Sequence, residues 1–230
     1  MTKKITIQKI AGYIDHTNLK PNAIENDIKK LCIEAKKYDF HSVCVSPVYI
    51  ELASESLKDT NIKICSVVGF PAGHHRTEVK VCEAEKALDA GATELDMVIQ
   101  IGYLIDSNLK AVINDIESVA RICHHRSALI KVIIETAYLS RKEKINATNL
   151  ILKSGADYIK TSTGFADSGA TVGDIKLFKQ ILKGTHVKIK AAGGIRTYTR
   201  AVEMIRAGAD RIGTSSGVSI VQEENRIKLY

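Results

Sequence analysis

Lys160 has the setting that most invites chemistry. It ends the apolar run Ala156-Asp157-Tyr158-Ile159 and opens the hydroxyl-and-glycine turn Thr161-Ser162-Thr163-Gly164. A lysine at the exit of a buried strand is partly desolvated, which disfavours the ammonium form and lowers its pKa. The neutral amine can then form a Schiff base with a carbonyl substrate. Taken alone, the same pattern fits a lysine that snorkels to solvent from a strand end. Val187-Lys188-Ile189-Lys190-Ala191-Ala192-Gly193-Gly194 repeats the design of strand, lysine and glycine turn. If Lys160 and Lys190 end neighbouring parallel strands, two cations face one pocket and each depresses the pKa of the other. A purely structural reason for two such lysines is hard to supply, so the catalytic reading leads.

Asp96 is the candidate proton carrier. In Glu94-Leu95-Asp96-Met97-Val98-Ile99, alternation puts Leu95, Met97 and Ile99 on one face and Glu94, Asp96 and Val98 on the other. A carboxylate facing a core needs a cation, because burying it alone is expensive. Lys160 or Lys190 would serve. The alternative is a strand-edge aspartate in a surface salt bridge. Asp15, in Ile14-Asp15-His16-Thr17, could line the site, cap the next turn or orient His16. Gly193-Gly194-Ile195-Arg196 and Gly213-Thr214-Ser215-Ser216-Gly217 are turns in which backbone N–H groups and serine hydroxyls could hold an anion. Neither matches the Gly-x-Gly-x-x-Gly spacing of a dinucleotide site. His74-His75 and His124-His125 invite a metal reading. Adjacent residues on a helix point about 100° apart, however, and no ligand spacing accompanies either pair. They read as surface histidines.

The elements that must position these residues alternate from end to end. A short helix over Thr2–Ile10 precedes strand Gly12–Asp15. Helix Asn22–Tyr38, strand Ser42–Val45, helix Pro47–Leu57, strand Lys63–Val68, helix Glu78–Ala90, strand Glu94–Ile99 and helix Ala111–Cys123 follow. Then come strand Leu129–Glu135, helix Lys142–Ser154, strand Tyr158–Lys160, helix Val172–Leu182, strand Val187–Lys190, helix Thr197–Ala207 and strand Arg211–Gly213. Gly91-Ala92-Thr93, Gly155-Ala156-Asp157 and Gly208-Ala209-Asp210 form a weak internal repeat, each ending a helix and entering a strand. Eight strand–helix units without a linker predict one α/β domain over residues 1–230, a closed (β/α)8 TIM barrel with a short N-terminal helix. A doubly wound open sheet is the alternative. Barrels carry their chemistry at the carboxyl ends of the strands. Those ends here hold Asp15-His16-Thr17, Cys44, Gly69-Phe70-Pro71, Asp96, Glu135-Thr136, Lys160, Lys190 and the Gly213–Gly217 turn.

Bulk properties narrow the function. The 230 residues are 45% apolar and 26% charged, which excludes disordered and collagen-like classes. The net charge of +7 is spread along the chain and not gathered in a basic arm, so it reads as a solvated surface attractive to anionic metabolites and not as a nucleic-acid site. Cys32, Cys44, Cys65, Cys82 and Cys123 form no Cys-x-x-Cys pair and read as reduced thiols. There is no signal-peptide pattern and no apolar run approaching about 18 residues, so neither secretion nor a membrane span is expected. A cytoplasmic homo-oligomer, dimer or tetramer, is the expectation.

With these residues in place the chain resembles the deoxyribose-phosphate aldolases, which are Schiff-base (class I) aldolases. The resemblance covers nearly the whole chain. It rests on Ile14-Asp15-His16-Thr17, Val67-Val68-Gly69-Phe70-Pro71, Glu94-Leu95-Asp96-Met97-Val98, Tyr158 to Gly164, Lys190 to Thr197 and Gly213-Thr214-Ser215-Ser216. It implies reversible cleavage of 2-deoxy-D-ribose 5-phosphate to D-glyceraldehyde 3-phosphate and acetaldehyde, with no metal or organic cofactor. It implies Lys160 as Schiff-base lysine, Lys190 as neighbouring cation and Asp96 as proton donor and acceptor. By the same matching, Leu19, Cys44, Thr163, Gly164, Gly193, Gly194, Ser215 and Ser216 line the substrate and phosphate sites, with Asp15 and Gly213 beside them. The Phe70-to-His75 segment departs from the small residues expected after Gly69. Two other readings remain, a barrel isomerase or synthase of phosphorylated substrates that uses the lysines electrostatically, and a nucleic-acid binder. Tyr230, at the end of the tail Glu223–Tyr230, is a candidate proton relay. About eight extended residues could bring it roughly 26–29 Å, enough to reach the pocket mouth.

Overall fold

Short apolar strands and amphipathic helices in strict alternation bury both faces of a parallel sheet when helices cover one face and side chains fill the other. The computed structural model, which describes residues 10–227, does this with a closed barrel. Its strands are β1 (Ile14–Asn18), β2 (Ser42–Val45), β3 (Lys63–Val68), β4 (Glu94–Val98), β5 (Leu129–Ile133), β6 (Tyr158–Lys160), β7 (Lys188–Ala192) and β8 (Arg211–Thr214). Every neighbouring pair is parallel, and β8 closes on β1 through Asp15 beside Gly213. That closure excludes the open sheet.

The helices are α1 (Glu25–Tyr38), α2 (Ile50–Leu57), α3 (Thr77–Asp89), α4 (Ile101–Ile105), α5 (Leu109–His125), α6 (Arg141–Lys153), α7 (Val172–Ile181), α8 (Tyr198–Ala207) and α9 (Gly217–Ile227). Side-chain caps start several of them. Ser140 accepts from Glu143 N–H, Thr171 from Asp174 N–H and Thr197 from Arg200 N–H.

The internal repeat has a physical reason. Gly91, Gly155 and Gly208 take positive φ at 107°, 79° and 120° to end α3, α6 and α8. The residue two places on then ties the next strand to its neighbour. Thr93 Oγ1 accepts from Ile64 N–H at 3.1 Å, Asp157 Oδ2 from Ile130 N–H at 2.8 Å, and Asp210 Oδ2 from Ile189 N–H at 2.9 Å. Each motif therefore sets the register of one barrel pair.

Differences from the expected elements are local. Gly12 and Tyr13 lie in a 3₁₀ turn (Ile10–Tyr13), so the first strand begins at Ile14. The expected helix over Thr2–Ile10 falls, apart from Ile10, outside the described residues. The Asp27 carboxylate accepts Ile24 N–H at 3.0 Å, so α1 starts at Glu25 and not at Asn22. Pro47 opens a 3₁₀ turn before α2. Helix α4 was not expected, being too short for a periodic signal. Nor was α9, whose Gly217, Ile220, Val221 and Glu224 are buried at helical spacing. The tail read as extended from Glu223 is thus helix as far as Ile227.

Candidate active site

The barrel interior is charged where barrels usually hold branched apolar side chains. Period-two alternation aims Asp15 of β1, Glu94 and Asp96 of β4, Lys131 of β5, Lys160 of β6, Lys190 of β7 and Arg211 of β8 at one another. All seven are buried. Lys160 and Lys190 are direct neighbours in the β6–β7 register, as the sequence suggested. They do not confront each other bare, because Asp96 Oδ2 stands 2.6 Å from both amines. Its other oxygen, Oδ1, accepts from Lys131 Nζ at 3.0 Å and from the Cys65 thiol at 3.2 Å.

The two lysines differ in their second partner. Lys190 Nζ also lies 2.5 Å from Asp15 Oδ2, whereas the salt bridge to Asp96 is the one Lys160 makes. Burial works against the Lys190 ammonium, but Asp15 and then Asp96 outweigh it and push its pKa up. The expected mutual depression therefore fails for Lys190. Burial likewise opposes the Asp96 carboxylate, yet Lys131, Lys160 and Lys190 hold it well below the usual range. Asp15 is held at about 2, with Lys190 and Arg211 overcoming its burial. Its carboxylate is committed to those two cations and neither orients His16 nor lines the cavity. His16 instead pairs with Glu34 at 2.8 Å.

Three carboxylates thus face four cations. Lys131, Glu94 and Arg211 complete the set, with Lys131 Nζ 2.6 Å and Arg211 Nη2 3.0 Å from Glu94 Oε2. The sequence reading passed over Lys131 and Arg211. Lys131 interrupts an otherwise apolar strand, and alternation from it reaches the same face as Asp96, its register partner. That pairing was the available signal.

A cavity of about 520 Å³ opens above this floor. Lys160, Leu19, Gly164, Gly193, Gly194, Gly213, Ser215 and Ser216 line it, together with His16, Lys20, Phe165 and Arg196, which the sequence reading did not select. Asp96, Lys190, Asp15, Cys44 and Thr163 lie buried behind its wall. A Cβ at Gly213 would come within 3.1 Å of Lys190 Cε and Ala192 Cβ, so a larger residue there would press on the buried lysine. The turns that could hold an anion are pinned from below: Thr214 Oγ1 donates to Ile195 O at 2.6 Å and accepts Ser216 N–H at 2.9 Å. Ser215 and Ser216 immediately precede the first turn of α9, where helix N–H groups favour negative charge.

Cys44, Cys65 and Asp96 bring three potential metal-ligand atoms within 4.8 Å of one another. The three lysines on Asp96 repel a further positive ion and already hold both of its oxygens, so the arrangement suits no metal. His75 and His124 pair with Glu83 and Asp157 on the surface. Tyr230 lies outside the described residues.

A family model for the DeoC/LacD family aldolases matches residues 9–223. The chain belongs to that family. A deoxyribose-phosphate aldolase of Thermococcus kodakarensis is 54% identical over 217 residues, covering 94% of this chain and 96% of its own. One of Caldicellulosiruptor saccharolyticus is 51% identical over 225 residues, covering 97% of this chain and 100% of its own. Among solved structures, the tetrameric deoxyribose phosphate aldolase of Aeropyrum pernix superposes with a TM-score of 0.88 at 35% identity, covering 95% of this chain and 92% of that one. The charged floor thus sits in an aldolase barrel, and among the described residues no helix is long and apolar enough to cross a membrane.

Proposed function

We propose that this DeoC/LacD family aldolase is a lyase that cleaves 2-deoxy-D-ribose 5-phosphate reversibly to D-glyceraldehyde 3-phosphate and acetaldehyde through a Schiff base on Lys160. One observation carries the assignment of the nucleophile: Asp96 Oδ2 is shared by two lysines, and only Lys190 has Asp15 as well. Lys190 therefore stays an ammonium. A nucleophilic Lys160 must react as the neutral amine, and in that form three cations face the three carboxylates. Lys160 is also the lysine of the set that lines the cavity.

The chemistry follows from that balance. The Lys160 amine adds to the sugar aldehyde, and loss of water gives a protonated imine. The positive charge lost with the Lys160 proton returns on the imine nitrogen, facing the same Asp96 oxygen. The imine draws in the electron pair of the breaking C–C bond, releasing glyceraldehyde 3-phosphate and leaving an enamine. Asp96, poised between the two amines, moves protons to and from the reacting atoms with Lys190 as its charged neighbour. Protonation of the enamine carbon and hydrolysis release acetaldehyde and restore the amine. Tyr230 is our candidate for the relay to that carbon.

The Gly193-Gly194 and Ser215-Ser216 turns hold the phosphate, with Lys20 and Arg196 adding positive charge around the same cavity. Binding there, away from the reacting carbons, orients the aldehyde toward Lys160. The tetrameric Aeropyrum pernix relative supports a homo-oligomeric assembly, dimer or tetramer, for this chain too. The free cysteines fit a reducing cytoplasm.

Purified protein supplied with 2-deoxy-D-ribose 5-phosphate should release equal amounts of acetaldehyde and glyceraldehyde 3-phosphate. Ser216→Asp should weaken use of the phosphorylated sugar by about tenfold or more through charge repulsion, with a smaller effect on 2-deoxyribose. Isomerised sugar phosphate without acetaldehyde would favour an isomerase. Equal losses on both sugars would remove the phosphate from these turns.

A further inference from the structure

Glu135 stands at a strand exit and has no part in the mechanism above. It follows β5 on a left-handed backbone with φ 51° and ψ 74°, a conformation that residues other than glycine seldom take. Its side chain is buried. Oε2 accepts Thr163 N–H at 3.1 Å and, at shorter range, the Thr163 hydroxyl. Oε1 has no hydrogen-bond partner among the described residues. The Thr163 oxygen in turn accepts Phe165 N–H at 3.1 Å. A hydroxyl has one proton, and that of Thr163 goes to Glu135. The donors therefore run one way, from Phe165 to Thr163 to Glu135, and only an acceptor oxygen can end the chain.

The neighbouring backbone bonds run the opposite way, from the β5 segment to the turn. Ile134 N–H donates to Lys160 O at 3.1 Å, and Thr136 N–H donates to Thr161 O at 2.9 Å. The hydroxyls of Thr136 and Ser162 meet at 3.4 Å. The segment leaving β5 thus grips Lys160, Thr161, Ser162 and Thr163 in succession. A strained, buried glutamate persists where the surrounding structure over-determines it, and such strain tends to serve a site.

We propose that Glu135 is a positioning residue: its carboxylate locks the Thr163 turn against the exit of β5, fixing the Lys160 amine and the Gly164–Phe165 wall of the cavity. The proposal rests on the aldolase reading. The left-handed backbone is what lets the carboxylate fold back onto the turn, and the turn leaves β6 directly from Lys160.

The test compares Glu135→Ala, Glu135→Gln, Glu135→Gly and Thr163→Val by their rate of borohydride trapping with acetaldehyde. Stability in urea and the dissociation constant of inorganic phosphate are measured alongside. Glu135→Ala should slow trapping by about tenfold or more, since displacements near 1 Å can cost about a hundredfold. Phosphate affinity should not change, because the anion turns follow β7 and β8. Glu135→Gln keeps an acceptor oxygen and should retain most of the rate. Glu135→Gly relieves the backbone, so it should fold at least as stably as Glu135→Ala and still trap slowly. Glu135→Ala combined with Thr163→Val should be no slower than Glu135→Ala alone. Wild-type trapping in Glu135→Gly, or losses that multiply in the double variant, would overturn the proposal. Peptide mapping of the wild-type adduct separates the two readings. An adduct on another lysine brings down the Lys160 assignment, whereas an adduct on Lys160 that forms at full rate without Glu135 brings down this proposal alone.

Discussion

Two buried lysine–aspartate pairs in this molecule have the same contact distance and opposite behaviour. Lys80 of α3 and Asp115 of α5 meet at 2.6 Å outside the barrel, as Lys160 and Asp96 do inside it. The outer pair is closed. Lys80 Nζ also donates to Val98 O, and Thr77 Oγ1 to the second Asp115 oxygen. There burial wins: it pushes Lys80 down and Asp115 up, and one ion pair with its neighbouring hydrogen bonds does not offset it. Inside the barrel attraction wins, because each carboxylate faces more than one cation and Asp96 is held well below its ordinary range. One ion pair buries two charges at a net cost, whereas several shared pairs fix ionisation firmly and leave one cation in surplus. In the proposed mechanism that surplus falls to Lys160, the amine assigned to react.

Replacing each lysine in turn gives the sharpest contrast. Lys160→Met should reduce cleavage to background because it removes the nucleophile, while the fold survives because three cations still face three carboxylates. A Lys160→Met protein that cleaves at even a tenth of the wild-type rate would erase the distinction. Asp96→Asn should cost about 10² to 10⁴ in turnover, the usual scale for losing a positioned proton carrier. It also strips the shared oxygen charge from both lysines, so a wild-type rate would show that the shared carboxylate is idle.

Lys80→Met should do the reverse. It strands the Asp115 carboxylate and should cost about 3–5 kcal/mol in urea unfolding, while kcat/KM of the folded protein stays within about twofold. The double variant Lys80→Met with Asp115→Leu should recover most of that stability. If it does not, the outer pair contributes more than its burial costs.

Acid provides a smaller effect. Asp15 has a folded pKa of about 2 against an ordinary 3.8, so the unfolded chain binds more protons between those values. Its contribution, roughly 2–3 kcal/mol, is present above about pH 4 and lost as pH falls through 2. Asp15→Asn should flatten the dependence of stability on pH in that window, and an unchanged slope would detach Asp15 from the charged floor. Lys188 gives the smallest. It is exposed on the strand that carries Lys190, with its ammonium 5.8 Å from the Tyr158 ring. Lys188→Ala should cost about 0.5–1 kcal/mol and leave turnover unchanged, as read by urea unfolding and steady-state kinetics.

The sequence was most legible where a local rule governs. Alternating patterns, Gly-Ala helix ends and lysines at strand exits gave the barrel, its strand count and the meeting of Lys160 with Lys190. It was least legible where charge balance is set by distant residues. Asp15 and Arg211 are 196 positions apart, and no spacing announces their contact. The mutual depression expected of two adjacent lysines overlooked Asp15, whose service to Lys190 appears only when β1 closes beside β8. Helix α9 escaped because its apolar positions, Ile220 and Val221, are few and its charged end reads as a tail.

The proposed mechanism requires Lys160 to be the amine that reacts. Wild-type enzyme treated with acetaldehyde and borohydride, digested and mapped by mass spectrometry, tests this directly. The expected result is a single ethylated lysine at position 160, absent from Lys160→Met and present at wild-type yield in Lys80→Met. An adduct on Lys190 or Lys131, or one spread over several lysines, would contradict it.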